Sequence, residues 1–183
     1  MMIDPPEEAE TTEETIDSEQ IDAEPSPYGD MPSMVVGGQT VIFPSRDQWV
    51  ETAANLLANG WEMCVDVTSV DYSTHTGKRD LPDGIVAERY EVVASFLSMS
   101  RRERLRARVQ VPDFDPTIDS IADYYPGIDF SEREVFDLMG IIFNGHPDLS
   151  RILMPENWEG HPLRKDFVAA SIPVQFKTQV SET

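Results

Sequence analysis

The sequence predicts an α+β domain: a mainly antiparallel or mixed sheet with helices packed on it. An acidic N-terminal tail and an extended C-terminal strap should flank the domain. Three observations carry this. Apolar positions alternate between period two and period 3.6 along the chain, so strands and helices are interspersed. Two long strand patterns are separated by a very short connection, the mark of an antiparallel hairpin. The first 45 residues hold eleven of the 34 acidic residues and no Lys or Arg.

Residues 1–33 are rich in Glu, Asp, Thr and Pro, with scattered aliphatics, and are expected to be disordered. An acidic arm that docks on a basic partner is the alternative. The domain is expected over 34–160. A short strand at Val41-Ile42-Phe43 leads to Ser45, which with Gln48 makes a capping-box pattern. Trp49, Val50, Ala53, Leu56 and Leu57 then fall at helical spacing, and Asn59-Gly60 ends the helix. Residues 61–72 read as a strand with Trp61, Met63, Val65 and Val67 on one face. A polar loop follows over 73–86.

The hairpin strands are expected at about 88–99 and 101–111. In the second, Leu105, Ala107, Val109 and Val111 alternate with Arg104, Arg106, Arg108 and Gln110, a half-buried strand with a basic outer face. Asp115-Pro116 predicts a second helix with Ile118, Ile121, Ala122 and Tyr125 on one face, stopped by Pro126-Gly127. Ser131 and Glu134 predict the capped start of a third, whose buried stripe is Val135, Leu138, Met139 and Ile142. From residue 161 to 183 the chain should be extended.

The net charge of −20 disfavours nucleic acid and anionic lipid as partners. No apolar run approaches the ~20 residues that span a bilayer, and the first residues lack the basic and apolar regions of a signal peptide. A soluble, cytoplasmic protein is expected. A single cysteine, Cys64, and three histidines, His75, His146 and His161, are too few for an iron–sulfur cluster, which usually takes about four thiolates.

The densest polar region is 131–166, with Gly-His-Pro at 145–147 and again at 160–162. His146, Asp148 and His161 form a conceivable two-His, one-carboxylate metal set, although nothing places both histidines on one helical face. Arg133 and Asp137, four apart on a helix, are expected to pair. Phe136 lies off the apolar stripe, where a partner could cover it. Together with Arg151, Arg164 and Lys165 the region reads as an interface strap rather than a reaction centre.

The stretch Glu132-Arg133-Glu134-Val135-Phe136-Asp137-Leu138-Met139-Gly140-Ile141 strongly resembles the signature of the complex I thirty-kilodalton subunit family. Phe143-Asn144-Gly145-His146-Pro147-Asp148-Leu149 and Arg151-Ile152-Leu153-Met154 follow at that family's spacing, and then Trp158-Glu159-Gly160-His161-Pro162-Leu163-Arg164-Lys165-Asp166-Phe167.

The resemblance implies a cofactor-free subunit of the peripheral arm of proton-translocating NADH–quinone oxidoreductase. It would sit on the cytoplasmic side of the cell membrane as a non-catalytic part of a hetero-oligomer. It would pack against the quinone-site subunit and near the subunit with the terminal iron–sulfur cluster, with FMN and the clusters in partner chains. Expected interface and signature residues are Glu132, Arg133, Glu134, Asp137, Gly140, His146, Pro147, Arg151, His161, Pro162, Leu163, Arg164, Lys165 and Asp166. Alternatives are the equivalent subunit of a membrane-bound hydrogenase-type complex, a stand-alone metal-dependent hydrolase, and a free adaptor using Arg104, Arg106 and Arg108.

Overall fold

The computed structural model describes Tyr28 and residues 31–167. Most of the expected tail and everything after Phe167 lie outside the described residues. Strands β1 (Ser33–Val36) and β2 (Gln39–Ile42) form a hairpin whose two-residue turn is Gly37-Gly38, both with positive φ. A 3-10 turn at Arg46–Gln48 leads into α1 (Trp49–Ala58). The Oε1 of Gln48 accepts from the Ser45 N–H at 3.3 Å and from its hydroxyl at 3.1 Å. Strands β3 (Met63–Asp71), β4 (Tyr90–Ser98) and β5 (Glu103–Val111) follow, then β6 (Thr117–Asp119), α2 (Asp129–Met139) and β7 (Ile142–Asn144).

The main sheet runs β1-β2-β5-β4-β3. Only the β2–β5 pairing is parallel, so the sheet is mixed and mainly antiparallel, as the sequence predicts. The four apolar residues of β5 are completely buried and join Tyr90, Val92, Ala94 and Phe96 of β4 in one core. Trp49, Ala53 and Leu56 of α1, and Val135 and Met139 of α2, close over them. Tyr28 and Met31 also pack against this core.

Three expectations are corrected. Met63 and Val65 do not share a buried face with Val67: they are 48% and 49% exposed, while Cys64 is buried. The register of β3 on β4 jumps between Cys64 and Asp66, leaving Val65 as the extra residue of a bulge, and one such residue inverts the facing of everything before it.

The predicted second helix is also absent. Residues 117–119 pair in parallel with β7 as β6, and a turn and a 3-10 turn at Pro126–Ile128 follow. Ile118, Ile121 and Tyr125 are buried as the pattern requires. Their backbone is held from outside, with Ser120 N–H donating to the Asn144 carbonyl at 2.8 Å and Ile121 N–H to Glu132 Oε1 at 3.0 Å. Finally, α2 starts at Asp129, so Ser131 lies inside it rather than capping it, and Ile142 belongs to β7 and is 43% exposed.

Candidate functional site

A helix leaves its last four carbonyls without intrahelical partners. At the end of α2 the segment 151–167 supplies them. The Asp137 carbonyl accepts from His161 Nδ1 at 2.9 Å and Arg151 Nη1 at 3.2 Å. Leu163 N–H donates to the Leu138 carbonyl at 3.0 Å. Arg164 donates through Nε to Met139 at 2.6 Å and through Nη2 to Gly140 at 3.2 Å. Arg151 and Arg164 thus bring two cations to the negative end of the helix dipole.

A carbonyl oxygen only accepts, so His161 carries its proton on Nδ1. Burial holds its pKa below the usual histidine value, opposed by the bond to Asp137 and aided by the nearby Arg164 and Arg151. The imidazole is therefore a neutral cap.

Gly140 makes this closure possible. Its φ of 70° is left-handed, the conformation that ends helices on glycine. A Cβ there would lie 2.5 Å from both the His161 ring and the Arg164 guanidinium.

Asp137 anchors the strap from its side chain. Its carboxylate is fully buried. Oδ2 accepts the backbone N–H groups of Ile152, Leu153 and Met154 at 3.1, 2.8 and 2.8 Å, and Oδ1 takes Arg151 Nη1 at 2.6 Å. Burial alone raises its pKa, but the bonds from Met154, Arg151, Leu153 and Ile152 outweigh it and hold the group below the ordinary range.

The expected Arg133–Asp137 pair does not form. Arg133 turns outward and donates to the Ser150 carbonyl at 3.1 Å and hydroxyl at 2.9 Å, and Arg151, which approaches with three backbone donors in train, takes Asp137. Phe136 is half-buried, its ring 6.5 Å from that of His161, so the strap itself covers part of it.

The other end of α2 holds a second buried cluster. Glu132 accepts from Ser120 Oγ at 2.5 Å and from Ile121 N–H, and burial pushes its carboxyl up despite those bonds. The His146 side chain is buried, and its Nδ1 accepts the Asp148 N–H at 3.1 Å. Its protonated Nε2 lies 2.9 Å from Asp129 Oδ1 and 3.8 Å from Glu132 Oε2.

His146 therefore meets α2 at Asp129, and His161 meets it at Asp137, about 12 Å along the axis at 1.5 Å per residue. The structure does not bring together the metal set of His146, Asp148 and His161. Among the described residues, no group of three or more His, Cys, Asp or Glu is placed to hold a metal ion.

The strap ends on the sheet. Lys165 N–H donates to Asp71 Oδ2 at 2.9 Å, and Asp166 pairs with Arg89 at 2.8 Å. Arg89 also grips the buried Asp71 through Nε and Nη2 at 3.1 and 3.0 Å, and Asp113 at 3.0 Å. Burial opposes ionisation of Asp71, but Arg89, Lys165 and Ser73 together hold its pKa far below the usual carboxylate range.

Asp71 and Arg89 were missed by sequence reasoning. The signal was available: Asp71 has the same strand parity as the buried Val67. A second missed network joins Glu91 to Arg79 at 2.6 Å and to Arg108 at 2.7 Å, so part of the expected basic face of β5 is already neutralised. Of the expected site residues, Glu134 and Lys165 are exposed and Leu163 is 55% exposed. Pro147 is exposed in the turn after His146, and Pro162 is half-buried beside His161.

Fold and site together define a small mixed-sheet α+β domain whose second helix is sealed by a following strap. The family pattern of the respiratory-chain NADH dehydrogenase 30 Kd subunit matches residues 42–172, and the chain belongs to that family. It is 38% identical over 143 residues to an NADH-quinone oxidoreductase subunit of Saccharopolyspora erythraea, covering 76% of this chain and 53% of the relative. To the corresponding NADH-quinone oxidoreductase subunit of Acidothermus cellulolyticus it is 42% identical over 141 residues, covering 75% and 68%.

The chain thus spans about half the length of several curated relatives. Among solved structures, a trypsin-resistant fragment (1-134) of Nqo5 matches with TM-score 0.58 and 33% identity over 65% of this chain and 89% of the fragment. A chain of an archaeal membrane-bound sulfane sulfur reductase shares the fold, with TM-score 0.64 at 18% identity over 86% and 92%.

Proposed function

We propose that this chain is a cofactor-free, positional subunit of the peripheral arm of an NADH–quinone oxidoreductase, packed against the quinone-site subunit and near the subunit of the terminal iron–sulfur cluster. One observation carries the reading: the polar groups of the family signature are largely spent on closing α2 and pinning the strap. Groups already consumed in this way hold a shape, and they are poorly placed to exchange protons or electrons with a substrate.

What the strap leaves outward suits a partner surface. Leu153 and Leu163 are 59% and 55% exposed, Glu134 shares a surface depression with Leu163, and Lys165 is exposed two residues further on. Apolar residues rimmed by charge are a common docking composition. The electron path from NADH through FMN and iron–sulfur clusters to quinone, and proton translocation, belong to companion chains. The proposed position is peripheral, on the cytoplasmic side; no helix among the described residues is long and apolar enough to cross a membrane.

The test is affinity capture of the tagged full chain from detergent-solubilised membranes, with mass spectrometry of what accompanies it. A flavin-binding NADH subunit and the quinone-site subunit are the expected companions. A nickel-binding hydrogenase subunit, or no companion at all, rejects the reading.

A further inference from the structure

The start of β5 and the turn before it carry cations that the proposed function does not use. Arg102, Arg104 and Arg106 are exposed, and among the described residues no side-chain hydrogen bond or ion pair engages them. Strand alternation turns Arg104 and Arg106 away from the buried Leu105 and Ala107. Their lateral neighbours are uncharged: Leu97 and Ser95 on β4, and Val41 on β2.

The nearby carboxylates do not cancel them. Glu103 has the parity of Leu105, and Asp66 sits opposite Ser95, two strands or ~10 Å from Arg106. Arg108, one step further along, is by contrast spent on Glu91. An unpaired cationic face is unexpected on a chain of net charge −20.

The chain enters the described structure at the neighbouring β4–β5 turn, on the helix-covered side of the sheet, so the segment before Tyr28 reaches this face by passing around the end of the sheet. The Tyr28 ring lies 6.4 Å from that of Trp61, and the Arg101 guanidinium lies 5.8 Å from the same Trp61 ring. The stretch before Tyr28 contains ten carboxylates and no Lys or Arg. Asp22 and Glu24 are six and four residues upstream, a reach of up to ~20 and ~13 Å.

We propose that the face formed by Arg102, Arg104 and Arg106 receives the chain's own acidic segment, residues 4–24, as an intramolecular docking site. The attraction is between many carboxylates and a compact cationic surface. It therefore fades with salt, as contacts between exposed charges do.

The test uses the full chain with a nitroxide on Ser18→Cys. Cys64 is buried and its thiol is pushed up to about 12, so it stays unlabelled. Paramagnetic broadening of backbone amide signals is read by NMR. At low ionic strength the amides of residues 102–106 are expected to lose most of their intensity. They should recover it in about 1 M salt, where the screening length falls to about 3 Å.

Arg104→Glu with Arg106→Glu should abolish the broadening at low salt. So should neutralising Asp17, Glu19, Asp22 and Glu24 to their amides, a change outside the described fold. Broadening elsewhere, none at all, or broadening indifferent to both sets of substitutions overturns the proposal. Broadening seen only when labelled and isotope-enriched chains are mixed also overturns it, by placing the contact between two copies.

Discussion

At the residue scale, Gly140 and Asp137 determine whether the strap can close. A side chain at position 140 meets a left-handed backbone, which costs roughly 1–2 kcal/mol for an ordinary L-residue. It also meets the His161 ring and Arg164 at 2.5 Å. Gly140→Ala is therefore expected to lower the unfolding free energy by at least about 2 kcal/mol in urea denaturation. A loss under about 0.5 kcal/mol, the range of neutral surface changes, would show that the closure is loose.

Asp137→Ala strands Arg151 and three backbone donors around a buried site, for an expected loss of about 3–5 kcal/mol by the same measurement. The pH dependence at His161 has a fixed sign. Its folded pKa is depressed, so the unfolded chain takes up a proton first as pH falls through about 6.5, and stability drops there. His161→Asn should flatten the slope of stability between pH 7.5 and 5.5, and an unchanged slope would contradict the neutral-cap assignment.

These roles were only partly legible in the sequence. The pattern of Glu132 to Asp166 marks the residues, but Asp137 has two Arg within reach. Only the fold selects Arg151, because that choice also delivers the N–H groups of Ile152, Leu153 and Met154.

At the scale of elements, strands with strict alternation were readable and irregular segments were not. The alternation of β5 is uninterrupted from Leu105 to Val111, and every apolar position in it is buried. In β3 a single bulged residue, Val65, breaks the count, and no composition signal marks it. Residues 118–125 have helical spacing of their apolar side chains yet form a strand and turns. Parallel pairing with β7 and the buried Glu132 satisfy the backbone better than a short isolated helix could. The Gly37-Gly38 turn of the first hairpin is a two-residue signal that the strand pattern alone does not reveal.

The strap is pinned to the sheet at its far end by a partly exposed pair, Asp166 with Arg89, whose side chains are 59% and 16% exposed. Asp166→Ala should change global stability by no more than about 1 kcal/mol. It should nevertheless speed trypsin cleavage after Arg164 and Lys165, followed over time by mass spectrometry. Unchanged cleavage would mean that the Lys165 N–H bond to Asp71 suffices to hold the strap.

At the scale of the whole molecule, one core, a mixed sheet and a sealed helix make one packed unit whose outward strap residues are mostly apolar or singly charged. The same polypeptide stretch that identifies the family is the stretch that closes α2. If that closure is the strap's purpose, helix and strap must open together. Native-state hydrogen exchange of the Ile152, Leu153 and Met154 amides tests this directly. The account predicts that all three exchange slowly, with the same opening free energy as the last turn of α2, and that Asp137→Asn accelerates them together. Exchange at the rate of an unprotected loop, or acceleration of one amide without the others, would contradict it.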